Sequence, residues 1–170
     1  MTASAPSPSF LVRTDSPIGR LELSSDGANV TRLVVESNGT LPRDGEPERG
    51  NRVLERAVQQ LEQYFSGRRR KFRLPLQLTG TAFQQAIWNR LLELEHGEVI
   101  SYGTLGAAAG RAGSGRAVGT AVRSNPVPII VPCHRVLSTA GTVIGYSGGQ
   151  GIPTKLWLLA HEGVLLPQPA

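Results

Sequence analysis

A second cysteine is missing from this chain of 170 residues. Cys133 therefore cannot form an internal disulfide or complete a thiolate-rich metal site, and it is left as an inert small hydrophobe or a reactive centre. Long apolar runs are missing too, and nothing approaches the roughly 20 residues that a membrane-spanning helix needs. Met1 to Ser9 has no basic start and no apolar segment, so it does not read as a secretory signal. A cytoplasmic location with a reduced thiol is the expectation. Lysine is scarce: only Lys71 and Lys155 among 18 basic residues, a skew to arginine that genomic base composition explains as readily as phosphate binding. The glycine-rich stretch Gly141 to Gly151 is not followed by the lysine and Ser/Thr pair of a phosphate loop, which sets that chemistry aside.

What is present points to a soluble, basic, globular protein. Apolar residues make up 39% of the chain and alternate with polar stretches, and the net charge of +5 implies an anionic partner. Nucleic acid leads and an acidic membrane surface comes second. The run Arg68-Arg69-Arg70-Lys71 reads first as a solvated loop. The length suits two tightly packed lobes, residues 1–79 and 80–170. The expected class is α/β (α+β): a small N-terminal antiparallel sheet with a helix, then a mostly helical C-terminal domain containing a helix-turn-helix.

In the first lobe, Phe10 to Thr14, Arg20 to Ser24 and Val30 to Glu36 are rich in alternating and β-branched residues and separated by turn signals, the pattern of a three-stranded meander. Asn38 to Asn51 reads as an exposed connector. Val53, Leu54, Ala57, Val58, Leu61, Tyr64 and Phe65 then recur at helical spacing and predict a helix over 52–66. Nothing in this lobe suggests chemistry.

In the second lobe, Thr81 can cap a helix that buries Phe83, Ile87, Trp88, Leu91 and Leu94 and stops at His96-Gly97. Two short helices, Thr104 to Ala109 and Arg116 to Ser124, flank a glycine-punctuated turn. Arg116, Gly119, Thr120 and Arg123 share one face of the second helix, basic at both ends and nearly bare between. Such a face either packs closely on another helix or enters a narrow groove such as the DNA minor groove. Ile129 to Val131 reads as a short apolar strand carrying Cys133 into the interior. The imidazole of His134 and the guanidinium of Arg135 would favour a thiolate if they approach the sulfur. Pro153 and Gly163 bracket a last helix, and Glu162 at its C-terminal end stands against the helix dipole and calls for a cationic or imidazole partner. Cys133, His134 and Glu162 could supply nucleophile, base and orienter.

Six ordered segments together resemble the O6-alkylguanine-DNA alkyltransferase family, also called methylated-DNA--protein-cysteine methyltransferases: Gly97-Glu98-Val99-Ile100-Ser101-Tyr102-Gly103, Arg116-Ala117-Val118-Gly119, Arg123-Ser124-Asn125-Pro126, Pro132-Cys133-His134-Arg135-Val136, Tyr146-Ser147-Gly148-Gly149 and Leu158-Leu159-Ala160-His161-Glu162-Gly163. The resemblance implies direct, irreversible transfer of an alkyl group from O6-alkylguanine, and from O4-alkylthymine, in duplex DNA to Cys133, once per molecule. It implies that His134, through a water, takes the thiol proton, that Glu162 orients the imidazole, and that Tyr102 hydrogen-bonds the departing guanine. Asn125 would fix the turn before the cysteine, and Val136, Tyr146, Ser147 and Gly148 would line the pocket with Tyr102. Arg116 would enter the base stack in place of a flipped nucleotide, with Ala117, Gly119, Thr120 and Arg123 against the minor groove. A monomer that clusters on DNA, without cofactor or membrane, is implied; in a bacterium it would associate with the nucleoid.

Two departures accompany the resemblance. Some family members hold zinc in the N-terminal lobe through cysteine and histidine; with no cysteine beyond Cys133 and only His96, His134 and His161, no metal is expected here. The loop from Tyr146 to Lys155 is also slightly longer than the family pattern, around Gly149-Gln150-Gly151-Ile152. Two other readings compete: a non-catalytic DNA-binding protein with an idle thiol, and a cysteine hydrolase, against which the immediate succession of Cys133 and His134 argues.

Overall fold

The computed structural model describes residues 9–167, so the signal-free reading of Met1 to Ser9 falls almost wholly outside the described residues. Three strands, β1 (Phe10–Thr14), β2 (Leu21–Ser25) and β3 (Val30–Val35), form the expected antiparallel meander in the order β1-β2-β3. Helix α1 (Arg52–Phe65) covers one face; the Asn51 side chain accepts from Leu54 N at 2.9 Å and caps it. Val53, Leu54, Ala57, Leu61 and Tyr64 are its buried stripe, as the periodicity predicts.

The connector 38–51 is not simply exposed. Leu41 is buried, Leu11 and Arg49 exchange backbone hydrogen bonds of 2.8 Å, and Arg43 N donates to Glu22 Oε2. This segment folds back on the sheet, which is why all five residues of β2 are buried rather than alternating. A strand covered on both faces buries even Glu22 and Ser24, whose polar side chains then need the connector's donors.

The second lobe opens with α2 (Ala82–Leu92), started by a reciprocal Thr81–Gln84 capping box. It stops four residues earlier than His96 because the chain turns at Glu93, and Leu94 enters the core from that turn. A two-residue strand, β4 (Ile100–Ser101), leads into α3 (Tyr102–Ala108) and α4 (Gly115–Arg123), the helix-turn-helix. Gly110 and Gly113, at φ 84° and 79°, form the tight turn between them. A side chain on Gly106 would sit 2.8 Å from Val118 Cγ2, so glycine lets α3 and α4 close on each other. Trp88 Nε1 donates to Ala121 O at 2.9 Å and fixes α2 against α4.

Ile129 to Val131 is not a strand. It is a turn, with Ile129 at φ 75° and one bridge between Pro128 and Val131. Two prolines, at 126 and 128, remove the donors that a ladder needs. Cys133 consequently begins a short 3₁₀ turn, Cys133–Arg135, followed by β5 (Val136–Leu137), parallel to β4. Helix α5 (Ile152–His161) closes the lobe, with Pro153 in its first turn and Gly163 at φ 78° beyond its end. Between lobes, Leu33 N on the free edge of β3 donates to Pro126 O at 2.9 Å. Among the described residues no helix is long and apolar enough to cross a membrane.

Candidate active site

The turn that carries Cys133 is held by one side chain. Asn125 Nδ2 donates to Val131 O at 2.8 Å while its Oδ1 accepts from Val127 N at 3.0 Å, so both ends of the amide pin the loop after α4. Cys133 is buried, and burial pushes its thiol above the ordinary range. Asn125, the Lys155 ammonium and the Tyr146 phenol pull the other way. The charge acting on the sulfur thus comes from Lys155, since His134 and Arg135 turn their polar groups to Glu162. At rest the thiol keeps its proton and needs a base.

His134 is the buried group beside it. Its Nε2 lies 2.7 Å from Glu162 Oε2, and its Nδ1 is buried with no protein partner. Arg135 binds the same carboxylate through Nε at 2.7 Å and Nη2 at 3.1 Å, and Gly97 N adds a longer contact of 3.3 Å. Hydrogen bonds from His134 and Arg135 overcome desolvation and hold Glu162 well below the usual carboxylate range. An ionised carboxylate only accepts, so the imidazole proton resides on Nε2 and the Nδ1 lone pair is free to act as base. Burial lowers the imidazole's own proton affinity against the pull of Glu162, leaving it neutral and ready to accept. The partner that the terminal position of Glu162 demanded is therefore double, an imidazole and a guanidinium.

Tyr102, Val122, Arg123, Cys133, Gly145, Tyr146, Ser147 and Lys155 enclose a cavity of about 10 Å³ at the thiol. It shares Tyr102, Arg123 and Gly145 with a groove of about 400 Å³ along α4, walled by Arg116, Gly119, Ser138, Thr139 and Ile144. Arg116, Thr120 and Arg123 are exposed on this face, Gly119 is buried in it, Ala117 is half-buried, and Val118 and Val122 face the core. Ser147 Oγ donates to Arg123 O at 3.2 Å and couples the pocket loop to α4. Tyr102, Tyr146 and Ser147 thus meet the cysteine as expected. Val136 and Gly148 do not reach the wall of this cavity. Val136 is fully buried where β5 pairs with Ile100, and Gly148 lies one residue past the wall, folded under the Tyr146 ring.

The sequence and the fold match those of known proteins. A family model described as 6-O-methylguanine DNA methyltransferase, DNA binding domain, matches residues 82–164, and a second, the ribonuclease-like domain of the same methyltransferase, matches residues 12–78. The chain belongs to the methylated-DNA--protein-cysteine methyltransferase family. It is 45% identical to the Mycobacterium leprae methyltransferase over 155 residues, covering 87% of this chain and 88% of that protein. It is 40% identical to the Rattus norvegicus methyltransferase over 92% of this chain and 83% of that one. The crystal structure of Mycobacterium tuberculosis O6-methylguanine methyltransferase superposes with a TM-score of 0.81 at 38% identity, over 95% of this chain and 97% of that one. A structure of the M. tuberculosis protein in complex with DNA gives 0.78 at 41% identity, over 91% of each chain.

Three residues escaped the sequence reading of this methyltransferase-family site. Arg135 was visible in the motif, but its grip on Glu162 was not. Lys155 is buried, donates to Val136 O at 2.6 Å and Gly145 O at 3.1 Å, and is lowered by desolvation from 10.5 to about 8. A lone lysine inside an apolar helix was its only signal. Tyr64, whose phenol donates to Glu162 Oε2 at 2.6 Å, read as core spacing on α1. Among the described residues no group of three or more His, Cys, Asp or Glu could hold a metal ion.

Proposed function

We propose that this chain repairs alkylated DNA by transferring the alkyl group of O6-alkylguanine irreversibly to Cys133, one group per molecule. The observation that carries the proposal is the orientation of His134. With Nε2–H committed to Glu162, a free Nδ1 base stands on the residue next to a buried thiol, at the inner end of the groove under α4. In the reaction the Cys133 proton passes to His134 Nδ1, through a water where the gap requires one, and Glu162 and the buried surroundings support the imidazolium. The sulfur forms a bond to the alkyl carbon as the carbon–O6 bond breaks. The electron pair goes to guanine, to which Tyr102 gives its phenol proton so that it leaves as a neutral base, and the proton taken up by His134 returns to the tyrosinate through solvent.

The pocket geometry requires the base to leave the duplex, because a buried sulfur cannot reach a stacked guanine. Arg116, exposed at the start of α4, fills the space in the base stack, while Ala117, Gly119, Thr120 and Arg123 rest on the minor groove. A cavity of about 10 Å³ holds about one water, so Gly145, Tyr146 and Ser147 move aside as guanine enters. Residues 80–170 carry the reaction and the DNA contacts, and residues 1–79 support them.

Incubating the protein with a duplex containing O6-methylguanine, followed by peptide mass spectrometry, tests the reading. One methyl group on the Cys133 peptide per molecule and unmodified guanine in the DNA are expected. Multiple turnovers, or an unaltered peptide beside intact lesions, sink it. Arg116→Ala is expected to slow transfer from duplex roughly a hundredfold while leaving reaction with free O6-methylguanine nearly unchanged, since the contacts that offset flipping exist only on DNA.

A further inference from the structure

The Glu162 carboxylate receives one hydrogen bond from outside its own lobe. Tyr64, 98 residues away on α1, donates its phenol proton to Oε2 at 2.6 Å, the same oxygen that faces His134 Nε2 at 2.7 Å. We propose that Tyr64 is a positioning residue of the alkyl-transfer relay: its hydroxyl aims the Glu162 carboxylate at His134 and limits the negative charge offered to the imidazole. The N-terminal lobe then completes the reaction centre rather than merely carrying it. This rests on the reading of Cys133, His134 and Glu162 as nucleophile, base and orienter.

The placement of the ring is rigid. Tyr64 is 1% exposed, and its ring lies edge-on to Phe65 at 5.2 Å and to His161 at 5.0 Å, with Phe72 tilted against it at 5.4 Å. A phenol so confined has little freedom to choose another acceptor. Burial and the adjacent carboxylate push its own ionisation far up, so it stays a donor throughout the working pH range. Arg135 could hold Glu162 by charge alone, but its Nε binds Oε1 and its Nη2 reaches Oε2 at the longer 3.1 Å. Tyr64 makes the short bond that competes directly with His134 for Oε2.

A shared acceptor has a predictable consequence. Each donor to Oε2 withdraws charge that would otherwise stabilise the imidazolium, so removing the Tyr64 hydroxyl strengthens the Glu162–His134 attraction and raises the proton affinity of His134. The other groups facing this cluster are Arg135 in the same 3₁₀ turn, Lys155 on α5, His96 in the turn after α2, with Arg70 acting on it, and His161 on α5, whose Nε2 lies 2.7 Å from the Tyr64 carbonyl oxygen. Arg135 and Lys155 oppose protonation of His134, and burial keeps His96 neutral; none of them changes when Tyr64 becomes Phe. A higher proton affinity keeps His134 charged, and unable to act as base, up to a higher pH.

The test compares wild type, Tyr64→Phe and Phe72→Leu in single-turnover methyl transfer from an O6-methylguanine duplex across pH, alongside ¹⁵N titration of His134. Phe72→Leu loosens the same aromatic cluster but keeps the hydroxyl. Expected for Tyr64→Phe is a roughly threefold higher proton affinity of His134, with the acid limb of the rate displaced to higher pH and transfer on that limb slowed roughly threefold. Phe72→Leu is expected to melt earlier with both pH profiles in place. A Tyr64→Phe profile superimposable on wild type, or an equal displacement in Phe72→Leu, overturns the proposal and leaves Tyr64 a core residue. Should wild type fail to methylate Cys133, the relay reading falls by itself, and the ¹⁵N titration still decides whether Tyr64 sets the basicity of His134.

Discussion

The N-terminal lobe keeps most of its charges at the surface, where Arg20 spans Glu36 and Asp44 and Arg43 meets Glu46; Glu22, under the connector, is buried. The second lobe buries His134, Arg135 and Glu162 in one hydrogen-bonded cluster that begins next to Cys133 in the chain, and buries Lys155 on the wall of the thiol's cavity. The surface pairs form in high dielectric and contribute little. The buried set pays desolvation for every member, and only mutual hydrogen bonding makes it tolerable. The clustering of four such buried side chains, against the single Glu22 of the first lobe, distinguishes the proposed reaction centre. The pairing is complete except at His134 Nδ1, where a base must stay unpartnered to work.

Three perturbations sharpen this contrast. The largest effect is expected for Glu162→Gln, which leaves Arg135 buried without its counter-ion and costs about 3–5 kcal/mol of stability, read by urea unfolding. Methyl transfer is expected to fall by more than about a hundredfold, because a neutral amide no longer stabilises the His134 imidazolium. A folded variant with undiminished transfer would break the comparison.

An intermediate effect belongs to Lys155. Its folded value near 8 lies below the ordinary 10.5, so between these limits the unfolded chain holds a proton that the folded protein has released. Stability from this group therefore rises with pH through the window from about 8 to 10.5. Unfolding midpoints of wild type minus Lys155→Met, measured from neutral pH upward, should show that rise; a flat difference would mean that Lys155 titrates normally. The smallest effect is expected for Arg20→Ala, which breaks the main surface pair. Its melting temperature and transfer rate should stay essentially at wild-type values, and a large loss of either would erase the distinction between the lobes.

The strands, α1, and the basic small-residue face of α4 were legible because each is written in local periodicity. Cys133, His134 and Glu162 were legible from their neighbours and from the position of Glu162 at a helix end. The connector 38–51 was misread because its polar composition hides Leu41 and the bonds that Arg43 makes to β2. The apolar triplet at 129–131 imitates a strand, but the preceding prolines and the Asn125 amide make it a turn. Tyr64 carried no site signal, since an aromatic at helical spacing looks like ordinary core, and Lys155 carried only that of a lone lysine on an apolar helix.

The lone cysteine, its histidine neighbour, the arginine-flanked glycine face and the order of lobes follow from sequence alone, because residue identity and short-range spacing determine them. Whether the thiol is ionised, which imidazole nitrogen is free, and which lobe contributes to the relay depend on burial and on partners as many as 98 residues apart. Desolvation and hydrogen-bond geometry exist only once the chain has folded, so those properties of Cys133, His134 and Tyr64 were decided by tertiary structure.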